Sequence, residues 1–175
     1  MRQLQVRYSR PHNVSMAVLA VGMIAISLLH FITNSAQGPS VTPNDQRFVL
    51  YAVLVAAMGY YTWAGITRAR NPQPQVVIDH DGIVLGFGRN QRFAWSEILW
   101  VRQRHLGFRP QLQIALVPEA FMRTDLRLSM WNLDDGLRPV RGSPAAVAVR
   151  DNGLDARASA MLDAVRAFRP NLVKS

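Results

Sequence analysis

The chain reads as an α+β membrane protein, a two-helix transmembrane hairpin followed by a β-sandwich or open barrel of about seven strands with a C-terminal helix. Three observations predict this. Residues 14–33 and 48–67 contain no Asp, Glu, Lys or Arg. From residue 76 onward apolar side chains recur with a period of two, between turn residues. After residue 151 the period changes to that of an amphipathic helix. The 175 residues have room for a membrane segment and one small domain.

Composition narrows the function classes. Charged residues are 18% of the chain and hydrophobic ones 49%, which excludes a disordered charged tail. There is no cysteine, so disulfides, thiolate catalysis and Cys-ligated zinc are excluded together. The net charge of +9 is carried by arginine, Lys174 being the one lysine. No contiguous basic run occurs, and a nucleic-acid arm would need one, so nucleic acid is not an expected partner.

The first element is a flank, residues 1–13, with Arg2, Arg7 and Arg10 and no acid. The span 14–33 follows. At 1.5 Å per residue it covers about 30 Å, the thickness of the hydrocarbon core, and its backbone must be helical there. Its length exceeds the apolar run of a cleavable signal, and Asn34 occupies a position where cleavage requires a small residue, so it reads as a retained anchor. His30, near the outer end, reads as a wetted structural group. The connection 34–47, with Gly38, Pro39 and Pro43, is a loop, and 48–67 is the second span. Arginines flank the pair at Arg10, Arg68 and Arg70, whereas the loop has Arg47 alone, which predicts both termini in the cytoplasm and the loop outside. Phe48 and Tyr51 then mark the outer interface, and Tyr60, Tyr61 and Trp63 the inner one. Ala52, Ala56 and Gly59 form a small-residue stripe. The first expectation is that it packs on the same chain's first span through Gly22 and Ala25; a homo-oligomer contact is the alternative.

Asn71-Pro72-Gln73-Pro74 is a linker, and the domain expected over 72–170 begins with alternating Val76, Ile78 and His80. Asp81-Gly82 supplies turn chemistry. Ile83, Leu85 and Phe87 form the next strand, Gly88-Arg89-Asn90 a second turn, and Phe93 and Trp95 a third strand. Residues 98–104, 111–116, 126–130 and 145–150 complete seven, with a helical turn at Ser96-Glu97. The segment 131–144 reads as a long polar connection. Leu154, Ala158, Met161, Leu162, Val165 and Phe168 share one helical face, with Asp151 or Asn152 as cap and Pro170 as the stop. That helix is expected to plug the sheets.

Ile78-Asp79-His80-Asp81-Gly82-Ile83 followed by Phe93-Ala94-Trp95-Ser96-Glu97-Ile98 resembles bacterial pleckstrin-homology-like (PH-like) domains, over roughly residues 75–170. Such domains often follow a two-span hairpin in small bacterial membrane proteins. The resemblance implies a membrane-anchored scaffold or protein-interaction module at the cytoplasmic face of a bacterial inner membrane, with no catalytic residues and no cofactor to carry over. The bilayer is one implied partner, and a protein partner remains open.

Candidate chemistry is sparse. Asp79-His80-Asp81 has ligand-type residues, but strand alternation is expected to point Asp79 away from His80, so no metal site is expected. Gly86-Phe87-Gly88-Arg89-Asn90-Gln91 lacks the third glycine of a dinucleotide fingerprint and precedes a strand, so it reads as a hairpin. His105 has no paired nucleophile. One basic face remains. Arg89, Arg92, Arg102, Arg104 and Arg109 are set against Glu97 alone, and they are the candidate contacts for anionic lipid headgroups, the alternative to protein interaction.

Overall fold

The computed structural model describes residues 3–37, 46–87, 90–106, 109–123, 136–140 and 142–174. The chain divides into two compact units, residues 9–72 and a β unit made of residues 1–8 with 73–175. The β unit is therefore interrupted by the helical one.

The helical unit consists of α1 (Arg10–Gln37) and α2 (Gln46–Arg70), which pack on each other. Both are long and apolar enough to cross a membrane. Each extends beyond its uncharged core at both ends, so residues 34–37 and 46–47, expected in the loop, are helical. The seam on α1 contains Asn13, Ala17, Ala20 and Ser27, all buried, at helical spacing. Gly65 of α2 lies close against this seam, where a Cβ would be 2.7 Å from the Asn13 backbone carbonyl oxygen and 3.0 Å from the Ala17 Cβ. Phe31 meets Phe48 and Tyr51 toward the other end, with ring centroids 6.5 and 5.3 Å apart. Hydroxyls are satisfied within each helix, Ser27 donating to the Met23 carbonyl and Thr62 to that of Met58.

Among the described residues, the β unit holds two four-stranded antiparallel sheets. The first contains β1 (Leu4–Val6), β2 (Val76–Ile78), β3 (Gly82–Leu85) and β4 (Gln91–Ala94), in that spatial order. A single 3-10 turn, Trp95–Glu97, carries the chain into the second sheet. That sheet has β5 (Ile98–Leu106), β6 (Arg109–Leu116), β7 (Leu137–Val140) and β8 (Ser143–Arg150), ordered β5-β6-β8-β7. Between β6 and β7 lies the short helix α3 (Pro118–Met122), with proline in its first turn. The amphipathic helix α4 (Ala158–Phe168) buries Ala158, Met161, Leu162 and Val165 into the core shared by both sheets.

Three differences from the sequence reading have physical reasons. The flank 1–13 is not only a flank. Leu4–Val6 pairs with β2 in the register Leu4–Ile78, Gln5–Val77 and Val6–Val76, and three residues are too few for a period to be visible. Leu137–Val140, placed in a polar connection, is the edge strand β7, and its Pro139 is tolerated because an edge leaves one side unpaired. The C-terminal helix begins at Ala158 rather than near Leu154, because Leu154 instead bridges to Tyr8. The Asp151 carboxylate accepts the Ala158 N–H at 3.0 Å, so the anticipated cap acts from seven residues upstream. The expected strand 126–130 lies outside the described residues.

Two outer edges are covered by the chain itself. Past β1, Arg7 exchanges hydrogen bonds with Asp155: its N–H reaches the carboxylate at 2.8 Å, and its carbonyl accepts the Asp155 N–H at 2.9 Å. Beside β5, Val173 bridges to Val101 and the Lys174 N–H donates to the Val101 carbonyl. Such covering blunts strand edges against pairing with other chains.

Candidate functional site

The expected basic residues separate into different surroundings. Arg89 lies outside the described residues. Arg92, on β4, is consumed by structure. Its guanidinium reaches both Asp79 carboxylate oxygens at 3.2 and 3.1 Å and Asp81 at 3.4 Å. Arg109 opens β6 opposite Leu106 at the hairpin end. Arg102 and Arg104 are two apart on β5 and share the sheet face turned away from the core.

The strand register builds that outer face. One cross-strand row is Arg104–Gln111–Arg150, and the next is Arg102–Gln113–Ala148–Arg138. Gln111 and Gln113 are buried between their neighbours, and Ala115, Ala146 and Ala148 make a floor of small residues against which Trp100 packs. Arg102 is held in place twice. Its Nε donates to the Gln113 side-chain oxygen at 2.9 Å, and its guanidinium lies 4.5 Å from the centre of the Trp100 ring. Its remaining N–H groups suit a planar anion. The paired positions of this face carry arginines and no carboxylate. Sequence reasoning missed Arg150, for which the alternation Ala146, Ala148, Arg150 was the signal.

A bulge shapes one end of this face. Ile98 pairs with Leu116 but Trp100 pairs with Ala115, so Leu99 is an extra residue on β5. Without it Ile98 and Trp100 would share a face. With it Ile98 enters the core, Trp100 turns outward, and Leu99 stands exposed.

The Asp79-His80-Asp81 expectation needs correction, because the three side chains do converge, with candidate ligand atoms within 4.8 Å of one another. Strand alternation fails as a guide there because β2 ends at Ile78 and the chain is already turning. One Asp79 oxygen accepts the N–H groups of Asp81 at 2.9 Å and Gly82 at 3.1 Å, which fixes the turn into β3. Burial pushes the Asp79 carboxyl upward, but these hydrogen bonds and Arg92 outweigh it and hold the group below its ordinary value. The guanidinium already occupies the cationic position beside Asp79. The 86–91 segment is a hairpin, β3 to β4, as its sequence suggests.

In the helical unit the small residues do not form the expected seam. Gly22 and Gly59 have open space where a Cβ would be, and Ala25 and Ala56 are exposed. Gly22 is two positions beyond Ala20, about half a turn round the helix from the seam. Ala52 borders an apolar cleft with Ser27, Phe31 and Phe48. The His30 ring lies 6.2 Å from that of Tyr51.

No protein-family model, curated protein or solved structure matches the chain.

Proposed function

We propose that the chain is an integral protein of a bacterial inner membrane, both termini cytoplasmic, whose PH-like β unit is a non-enzymatic scaffold or protein-interaction module. One observation carries the reading: β1 precedes α1 and pairs with β2, which follows α2. The apolar hairpin is thus an insertion within the β unit, and any membrane that holds the hairpin also holds the domain by two chain crossings. Support for insertion comes from the large apolar side chains that α1 and α2 leave exposed, including Leu19, Ile26, Leu29, Leu50 and Val53. The arginine asymmetry supports the orientation. Two antiparallel sheets with a helix at the end support the PH-like reading. Support for a non-enzymatic role lies in how four acids among the described residues are used: Asp79 fixes a turn, Glu97 pairs with Arg123, Asp151 caps a helix and Asp155 holds β1.

The test is purification of the full chain from bacterial membranes in lipid-retaining polymer discs, with protein and lipid identified together. A stoichiometric protein that stays bound when the lipid is exchanged supports the module reading. A homogeneous chain with lipid alone overturns it.

The rows built on Arg102 and Arg104 favour a second reading, recognition of anionic lipid headgroups. Retention of phosphatidylglycerol or cardiolipin that falls when both arginines are replaced supports it. Indifference of lipid content to the replacement overturns it.

A further inference from the structure

Outside the two long helices, Leu99 and Met122 are the large apolar side chains left exposed among the described residues, at 53% and 72%. They belong to separate elements, yet Glu97 ties them to one end of the second sheet. The Glu97 carbonyl accepts the Val117 N–H at 2.9 Å, just before α3, and its carboxylate pairs with Arg123, the neighbour of Met122. Leu99 is two residues beyond Glu97, on the bulge. Trp100 follows, half-buried under the Arg102 guanidinium, and Arg104 continues the same strand face. Two exposed apolar side chains are thereby tied through Glu97 to one end of the second sheet, and Trp100, Arg102 and Arg104 follow Leu99 along β5. Exposure of the two apolar side chains to water is unfavourable, and burial against an apolar protein surface would desolvate the neighbouring guanidinium groups. A lipid interface suits both, since acyl chains take up the leucine and methionine, the headgroup region takes the indole, and anionic phosphates take the arginines.

We propose that Leu99 and Met122 insert into an anionic bilayer surface, with Trp100, Arg102, Arg104 and Arg123 at headgroup depth. The inference rests on the anionic-lipid reading above and adds an apolar contact that headgroup recognition alone does not require. It commits to lipid because charge complementarity and a membrane-type hairpin in the same chain point to one occupant.

The cysteine-free chain allows single probes. Leu99→Cys, Met122→Cys, Val53→Cys in α2 and Ala167→Cys on the exposed side of α4 would each carry an environment-sensitive fluorophore. Each full-length variant goes into nanodiscs that contain a spin-labelled quenching lipid, with or without phosphatidylglycerol. Val53 should be quenched in both, Ala167 in neither, and positions 99 and 122 roughly twofold or more in the anionic discs relative to neutral ones. Quenching of 99 and 122 that ignores phosphatidylglycerol, or matches that of Ala167, overturns the inference. Arginine-dependent retention of phosphatidylglycerol with 99 and 122 unquenched overturns it and leaves headgroup recognition standing. If retention is also absent, both fall. An unquenched Val53 removes the membrane anchorage itself.

Discussion

The Gln75 N–H donates to the Val6 carbonyl at 2.7 Å, joining a residue before the first long helix to one after the second. Val6 and Val76 are paired and fully buried, so the strand is part of the core rather than an appended tail. Residues 73–175 alone would leave β2 as an open edge with Val76, Val77 and Ile78 along it, a template for pairing with other chains. That fragment should aggregate, and a version with residues 1–8 joined to its N-terminus through a flexible linker should be monomeric and melt cooperatively. Size-exclusion chromatography and thermal melting compare the two. In the full chain Val6→Asp should lower stability sharply, because it buries a carboxylate without a partner.

The same pairing constrains topology, since both flanks of the hairpin must reach one compartment for β1 and β2 to meet. Cysteines placed at Gln37 and Asn71 report this with an impermeant thiol reagent on intact cells. Labelling at position 37 alone is expected from the arginine distribution. Labelling at 71 alone would invert the orientation, and labelling at both would disprove a hairpin that crosses the bilayer.

Legibility from sequence followed the length and regularity of each signal. The two apolar spans, the alternation in residues 111–116 and the amphipathic face of α4 are long patterns, and each became an element. β1 has three residues and β7 carries proline, so neither repeats often enough to show a period. The bulge at Leu99 is invisible by nature, since only the partner strand reveals the extra residue. The basic site was legible in part. Arg102 and Arg104 share a face by alternation, whereas Arg150 joins them only through strand order. The convergence of Asp79, His80 and Asp81 was misread because a strand rule was applied beyond the strand's end.

Asp79 should make the β unit acid-sensitive. Its folded value is depressed below 3.8, so it contributes stability that is fully present above the unfolded value and disappears as pH falls through the folded one. Asp79→Asn should cost about 1–3 kcal/mol at neutral pH, since the Asp81 and Gly82 N–H groups lose a charged acceptor and Arg92 its partner. The difference between the native chain and Asp79→Asn should shrink as pH drops below about 4. Thermal melts across that range check it; a constant difference would assign the effect to the turn alone.

The plug formed by α4 gives a graded series. Met161 is fully buried, and Met161→Ala should cost about 2–5 kcal/mol. Phe168 is only half-buried but stacks on Trp95, ring centroids 6.3 Å apart, while the Trp95 indole N–H donates to the His80 carbonyl. Phe168→Ala should therefore cost less than Met161→Ala, and Leu162→Asp more than either, because a charge enters the core. Denaturant titration of the full chain in discs orders the three. Native-like stability of Leu162→Asp would show that the helix is peripheral.

The arginine rows make the last prediction, and it separates charge from packing. If Arg102 and Arg104 hold anionic headgroups, each contributes about 1 kcal/mol near a charged surface, so replacing both with alanine should lower phosphatidylglycerol retention roughly thirtyfold. Arg102→Lys is the discriminating variant. It keeps the charge but loses the planar fork that donates to Gln113 and lies over Trp100. Arg104 makes no described bond to Gln113, so Arg104→Lys should retain lipid nearly as the native chain does, while Arg102→Lys should lose part of it. Rising salt should weaken retention in the native chain and matter less in the double-alanine variant. Equal behaviour of the two lysine variants would mean that only net charge matters, and the ordered Arg102–Gln113–Trp100 arrangement would then be structural.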